Sequence, residues 1–304
     1  MKRKLLGVVG SSGLVGQTFL KLATTLPYET LCFGRKSSQL SMDDLLVVQP
    51  DFCVFLTPEA VSRQYIPKLA KLGCVSIDNS SAFRLEKDVP LVVPEINGDT
   101  LSRLNKIVAN PNCTTIQIVY VLNALKSLDI KRVFASTYQA VSGGGKDALE
   151  DLIFARGEGQ TIGLPHEIAN NFFPLIGKIL PNGNSTEEEK VQNECRKILK
   201  KPKLKVESLA VRVPVSNCHG VALAIDFDKD FDLNQAKELL RRCPTIILDD
   251  CPMPIIAVET PYVFVGRLKK QGKRLTCFCV ADNLWRGASY NALEILKLLE
   301  KLYV

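Results

Sequence analysis

The stretch Leu5-Leu6-Gly7-Val8-Val9-Gly10-Ser11-Ser12-Gly13-Leu14-Val15-Gly16 decides the fold. Its first five residues are a near-continuous apolar run, as expected of a parallel strand covered on both faces. Glycines follow at 10, 13 and 16, and then an apolar-periodic segment, residues 14–26, that reads as a helix. Strand, glycine turn and helix in this order form a relative of the dinucleotide fingerprint. The glycines permit a tight turn and let a pyrophosphate approach the helix N-terminus, where backbone N–H groups and the dipole favour an anion. Met1-Lys2-Arg3-Lys4 ahead of the apolar run imitates the start of a signal peptide, but the run breaks at Gly10 and is better explained as a first strand.

A second strand at residues 30–33 ends in Gly34-Arg35-Lys36-Ser37-Ser38. A dinucleotide fold meets the adenosine ribose there, where an acid favours NAD and cations accommodate the 2′-phosphate of NADP. With Arg35, Lys36 and Ser37 and no acid, the expected cofactor is NADP. Strands at 52–56, 75–77 and 91–93 and a helix at 58–72 continue the alternation of a doubly wound sheet. The polar loop from Asp78 to Arg84 then falls at a strand's carboxyl end, where open α/β sheets bind ligands.

Asn110-Pro111-Asn112-Cys113-Thr114-Thr115 separates a short apolar strand from a buried helix at 116–125. A cysteine at such a turn sits at a helix N-terminus, which favours the nucleophilic thiolate. A buried structural cysteine is the ordinary alternative; the polar setting counts against it. Strand patterns at 132–140, 208–215, 221–227, 262–268 and 275–281 imply a larger sheet in a second domain. Helices are expected at 146–156 and 186–199, and an amphipathic one at 288–302 that packs back on the first domain. Residues 157–185 read as a loop-rich section carrying His166.

The 304 residues suit two domains, and 46% hydrophobic with 23% charged is an ordinary globular composition. The net charge of +7 is dispersed except over residues 197–205, without interleaved aromatics, so no nucleic-acid partner is expected. No stretch has the length of a membrane span, and the expected location is the cytoplasm. Ten scattered cysteines without a CxxC pair read as buried reduced thiols; Cys277 and Cys279 would share one strand face, which leaves a metal or disulfide conceivable there. No metal is expected. One of only two histidines, His219, follows Arg212 at the end of a patterned segment, and an imidazole is a suitable proton partner for a cysteine. A satisfied structural histidine is the plain alternative.

Taken together, these stretches resemble the aspartate-semialdehyde dehydrogenases. The resemblance rests on residues 10–16, 77–84, 89–97, 110–115, 138–143 and 187–190, on Arg212 with His219 seven residues later, and on Asp282-Asn283-Leu284-Trp285-Arg286-Gly287-Ala288, all in the family's order. It implies an α/β protein with a Rossmann-like NADP-binding domain (residues 1–114 and 284–304) and an α+β catalytic and dimerisation domain with a large mixed sheet (115–283). It implies NADP-dependent reductive dephosphorylation of L-aspartyl 4-phosphate to L-aspartate 4-semialdehyde, with release of phosphate, in aspartate-family amino-acid and diaminopimelate biosynthesis. By the same resemblance Cys113 is the nucleophile, His219 the acid/base and Gln139 the substrate-orienting amide. Arg212 pairs with the substrate carboxylate and Glu187 with its amino group, while Arg84, Asn112 and Lys190 hold phosphate. Gly10, Ser12, Gly13, Leu14, Val15, Arg35, Lys36, Ser37, Ser142, Gly143 and Asn283 contact the cofactor, and the chain forms a homodimer or homotetramer. The chain is short for the family between residues 37 and 51 and around 157–185, and Leu56-Thr57-Pro58-Glu59 replaces a small-residue loop near the cofactor. The competing readings are an N-acetyl-γ-glutamyl-phosphate reductase, whose nucleophile sits in a sequence like NPGCY, and a non-catalytic NADP-binding paralogue.

Overall fold

The structure, a computed structural model, describes residues 4–35 and 39–303. The chain divides into two compact units, residues 1–112 with 288–304, and residues 113–287; boundaries at 114/115 and 283/284 had been expected.

In the first unit, β1 (Leu5–Val9), β2 (Glu29–Phe33), β3 (Phe52–Phe55), β4 (Val75–Asp78) and β5 (Ile107–Ala109) form one parallel sheet in the order β2-β1-β3-β4-β5. Its helices are α1 (Leu14–Ala23), α2 (Met42–Val48), α3 (Glu59–Lys71) and the short α4 (Pro94–Asn97). β1 and β3 are apolar along their whole length because both faces are covered, and this yields two cores. One, around Leu6, Val8, Phe19 and Val54, takes in Ala292, Leu293, Ile295, Leu296 and Leu299 of the C-terminal helix; the other lies around Val9, Phe33, Phe55, Ile66 and Leu69. The strand expected at 91–93 is reduced to a single bridge, Leu91 to Ala109, because Pro90 and Pro94 bracket it and neither has an N–H to extend a ladder. Helix α2 is marked by a capping box between Ser41 and Asp44.

The second unit opens on α5 (Cys113–Ala124) and carries α6 (Lys146–Ile153), α7 (Thr186–Ile198), α8 (Leu233–Arg241) and α9 (Pro254–Ala257). Its mixed sheet is built from β6 (Ile130–Gln139), β7 (Lys205–Arg212), β8 (His219–Phe227), β9 (Ile246–Leu248), β10 (Val263–Gln271) and β11 (Arg274–Ala281), in the order β7-β6-β8-β11-β10-β9. The strand expected at 208–215 lies earlier, since Pro214 cannot donate to a ladder, and the helix expected to reach 156 ends at Ile153, before Ala155 at φ 44°. Alternation along β6 sends Val133, Ala135 and Thr137 to the buried side and Phe134 and Tyr138 outward. In register on the outward side, Leu209 joins them, and Phe278 lies 5.8 Å from the Tyr138 ring. Phe134, Tyr138 and Leu209 remain 40–44% exposed, an apolar strip on the outward side of the sheet. The C-terminal α10 (Tyr290–Tyr303) belongs to the first unit and follows a π-helical turn, Trp285–Ser289.

Candidate active site

In the second unit, four strand and helix ends bring the expected catalytic residues together. Cys113 is the first residue of α5, and its Sγ lies 3.2 Å from Nε2 of His219, the first residue of β8. Gly287 makes room for this placement: a side chain there would put its Cβ 2.8 Å from the Cys113 Cβ. His219 is fully buried, and its Nδ1 accepts the Ala140 backbone N–H at 3.0 Å. Burial and then the Arg212 charge lower its pKa from 6.5 to about 3, against a smaller opposing pull from Glu187.

Arg212 ends β7 and Gln139 ends its parallel neighbour β6, so pairing in register delivers both to one edge. Arg212 Nη1 donates to the Ala140 carbonyl, and no other acceptor among the described residues engages its guanidinium. Burial lowers its pKa while Glu187 and Cys113 oppose the shift. Gln139 accepts from Thr137 Oγ1 at 3.1 Å and donates to Glu187 Oε1 at 3.2 Å, while Lys190 donates to Glu187 Oε2 at 3.2 Å. Glu187 stands in the first turn of α7, which Ser185 and Glu188 close with a capping box. The run of acids at 187–189 is thus divided: Glu188 holds the helix start and the Ala210 N–H, and Glu187 turns to the site.

The expected cofactor contacts Ser142, Gly143 and Asn283 lie in this same cluster. Asn283 Nδ2 donates to Ser142 Oγ at 3.0 Å, and its Oδ1 accepts the Cys218 N–H at 2.9 Å. Cys218 has φ 72°, a left-handed conformation unusual for a residue with a side chain, immediately before His219. A Cβ on Gly143 would stand 3.2 Å from Arg212 Nη1 and 3.3 Å from the His219 ring. Ala140, Cys218 and Gly287 were missed by sequence reasoning, because they act through backbone atoms or through the absence of a side chain.

In the first unit, Arg84 is buried and donates from Nε to the Asn110 carbonyl at 2.9 Å and from Nη2 to the Asn79 carbonyl at 2.8 Å. Asn110 also bonds Asn79 and Asn291, at 2.6 Å each, which fixes the chain just ahead of the buried Asn112. The glycine turn fits a dinucleotide. Gly10 has φ 83°, the Leu56 carbonyl stands where its Cβ would be, and Gly13 caps α1 without a side chain over the first turn. Ser12, Leu14 and Val15 complete the turn into α1. Arg35 is exposed two residues beyond β2, whereas Lys36 and Ser37 lie outside the described residues. Gln39, unsuspected from sequence, reaches back to bond Ser11 Oγ. Glu59 turns its carboxylate to Arg63, at 2.7 Å, and to Ser81, at 2.8 Å. Among the described residues, no group of three or more His, Cys, Asp or Glu side chains could hold a metal, and no helix is long and apolar enough to cross a membrane.

Residues 6–104 match the model of the semialdehyde dehydrogenase NAD binding domain, and residues 122–286 that of the semialdehyde dehydrogenase dimerisation domain. The aspartate-semialdehyde dehydrogenase of Aquifex aeolicus is 37% identical over 97% of each chain, and that of Bacillus subtilis 36% identical over 97% of each. The solved structure of aspartate semialdehyde dehydrogenase II complexed with ASA from Vibrio cholerae superposes with a TM-score of 0.93, covering 100% of both chains at 28% identity. Two family models covering most of the sequence, relatives above one-third identity end to end and a shared backbone agree: the chain belongs to the aspartate-semialdehyde dehydrogenase family.

Proposed function

We propose that this protein reduces L-aspartyl 4-phosphate to L-aspartate 4-semialdehyde through a thioester on Cys113, with NADP as its cofactor and release of phosphate. The observation that carries the reading is the Cys113 thiol at a helix N-terminus, 3.2 Å from an imidazole, with Arg212, Gln139 and Glu187 grouped around it. The helix dipole and the Arg212 charge favour the thiolate. The thiolate attacks the acyl carbon, the phosphate leaves, and the thioester remains on Cys113. Bound nicotinamide supplies the hydride that reduces the thioester. His219, 3.2 Å from the reacting sulfur, is the acid/base of the reaction. Arg212 presents a planar fork to a carboxylate, Glu187 a carboxylate to an ammonium, and Gln139 fixes Glu187. Arg84, Asn112 and Lys190 take the phosphate; Lys190 is held at 3.2 Å by Glu187 until an anion competes for it.

Gly10, Ser12, Gly13, Leu14 and Val15 cradle the pyrophosphate. Arg35, with Lys36 and Ser37, answers the 2′-phosphate that distinguishes NADP. Ser142, Gly143 and Asn283 lie on the nicotinamide side. The enzyme works as a homodimer in the cytoplasm, where its ten cysteines stay reduced, and serves aspartate-family amino-acid synthesis.

The test is reduction of NADP+ by L-aspartate 4-semialdehyde with inorganic phosphate, beside Cys113→Ala and beside N-acetylglutamate 5-semialdehyde. Activity that needs phosphate, prefers the aspartyl aldehyde and vanishes in the variant supports the reading. Activity with the acetylated aldehyde alone replaces it with the glutamyl reductase, and binding of NADP without turnover of either replaces it with a non-catalytic module.

A further inference from the structure

We infer that Gln39 is a specificity residue for the cofactor: its side-chain amide, laid over Gly34 and bonded to the Ser11 hydroxyl, meets the adenosine ribose at its 2′ position and admits a phosphate there. The inference deepens the assignment of NADP and rests on it. A dinucleotide fold holds the pyrophosphate at the turn after its first strand and reads the 2′ position at the end of its second. In this chain the two places are tied to each other twice. The Gly10 N–H of the turn donates to the carbonyl of Phe33, the last residue of β2, at 3.2 Å. Gln39 makes the second tie, with Nε2 donating to Ser11 Oγ.

Backbone and packing both hold the amide in this position. Leu40 forms a parallel bridge to Phe33: its N–H donates to the Cys32 carbonyl and its carbonyl accepts the Gly34 N–H, at 2.9 Å each. Ser41 then caps α2, so Gln39 is fixed from its carboxyl side. The side chain crosses Gly34 so closely that a Cβ there would coincide with Oε1 and stand 2.9 Å from Cδ. A residue without a side chain is what leaves that path open. Ser11 is buried, and its hydroxyl, accepting from Gln39, turns its own hydrogen away from the amide.

The chemistry of the amide decides what it admits. An acidic side chain at the end of the second strand accepts from the ribose hydroxyls and repels a 2′-phosphate, which is how a dinucleotide fold selects NAD. Residues 34–41 contain no acid. Gln39 has the reach of a glutamate without its charge, and an amide and a hydroxyl bring donors to phosphate oxygens where a carboxylate would bring repulsion. Arg35, exposed beyond β2, supplies positive charge on a long side chain. Gln39 and Ser11, held to each other and to the ends of β1 and β2, supply the direction that a mobile cation does not.

Binding separates this subsite from the chemistry on Cys113. Isothermal titration calorimetry of the full chain compares NADP+ with NAD+, and adenosine 2′,5′-bisphosphate with AMP, two pairs that differ by the 2′-phosphate alone. In the parent the member with the 2′-phosphate should bind more tightly in each pair. Gln39→Met keeps the length of the side chain and removes its hydrogen bonds, and should lower that preference by about 10-fold, the worth of a hydrogen bond to a charged group. Gln39→Glu should go further and turn the preference to NAD+. Gly34→Ala leaves Gln39 in the chain but displaces its amide, so it should act like Gln39→Met, and the two together should cost no more than either alone. A preference for the 2′-phosphate that is unchanged in Gln39→Glu, or variants that weaken both members of a pair equally, would overturn the inference while leaving NADP as the cofactor. A parent that binds NAD+ at least as tightly as NADP+ would overturn the NADP assignment, and the inference with it.

Discussion

Cys113 owes its position to residues that carry no reactive group. Gly287 leaves the space behind its Cβ, and Gly143 lets the Ala140 turn close on Arg212 and the imidazole. A methyl group at 143 would sit 3.2–3.4 Å from Arg212 Nη1 and the His219 ring, tighter than ordinary contact, so one of the two must move. Gly143→Ala should therefore lower turnover by about 10- to 100-fold, as a displacement of under an ångström near reacting atoms does, while leaving the thermal midpoint near the parent's. Steady-state kinetics beside a melting curve checks this; unchanged turnover would mean that the turn is looser than its contacts imply. Of the site, Cys113 was legible in sequence because a polar turn interrupts an apolar strand and helix. Ala140 was not, since a backbone N–H has no sequence signature.

At the scale of elements, a carboxylate of α6 pins the segment that follows it. Asp151 is buried and accepts the N–H groups of Ile162, Gly163 and Leu164 at 2.8, 2.8 and 2.9 Å, with Arg156 3.7 Å away. This brings Leu164, Ile168 and Phe173 onto Val141 and Ala148, and Phe173 then pairs with the Arg212 backbone. Burial alone would raise the Asp151 pKa, but the three N–H donors and Arg156 outweigh it and leave the value below the usual 3.8. A lowered carboxylate pKa contributes stability that is complete above the unfolded value and is lost as pH falls through the folded one. Asp151→Asn should cost about 1–3 kcal/mol in urea unfolding at neutral pH and flatten the acid limb below about pH 4. Equal stability in parent and variant at pH 7 would refute the latch. The reading of residues 157–185 as loop was sound in composition, yet the latch was invisible because Asp151 lies in a helix eleven to thirteen residues upstream of the amides it binds. The strand expected at 91–93 was misread for a related reason: apolar content suggested pairing that the flanking prolines forbid. His219 was expected at the end of the strand that carries Arg212; that strand stops at Arg212, ahead of Pro214, and His219 begins β8.

For the whole molecule, the parallel sheet and its glycine turn were legible because a both-faces-buried strand has a continuous apolar signature. The mixed sheet was legible only as a set of strands, since register and order depend on long-range pairing. That register gathers Phe134, Tyr138, Leu209 and Phe278 on one uncovered face, and a protein with such a strip buries it on association. Sedimentation should give twice the 33.6 kDa chain mass, and Phe134→Lys with Leu209→Lys should shift it to the single-chain value. A parent sedimenting as a monomer would contradict the dimer. The central claim is that acyl transfer to Cys113 precedes reduction, and peptide-mapping mass spectrometry tests it most directly. The enzyme is mixed with L-aspartyl 4-phosphate without a reduced cofactor, digested and mapped, and a second sample is chased with NADPH. The account predicts one aspartyl group on Cys113, lost as aldehyde on the chase and absent in Cys113→Ala. Full turnover with no adduct on Cys113, or an adduct on another residue, would contradict it.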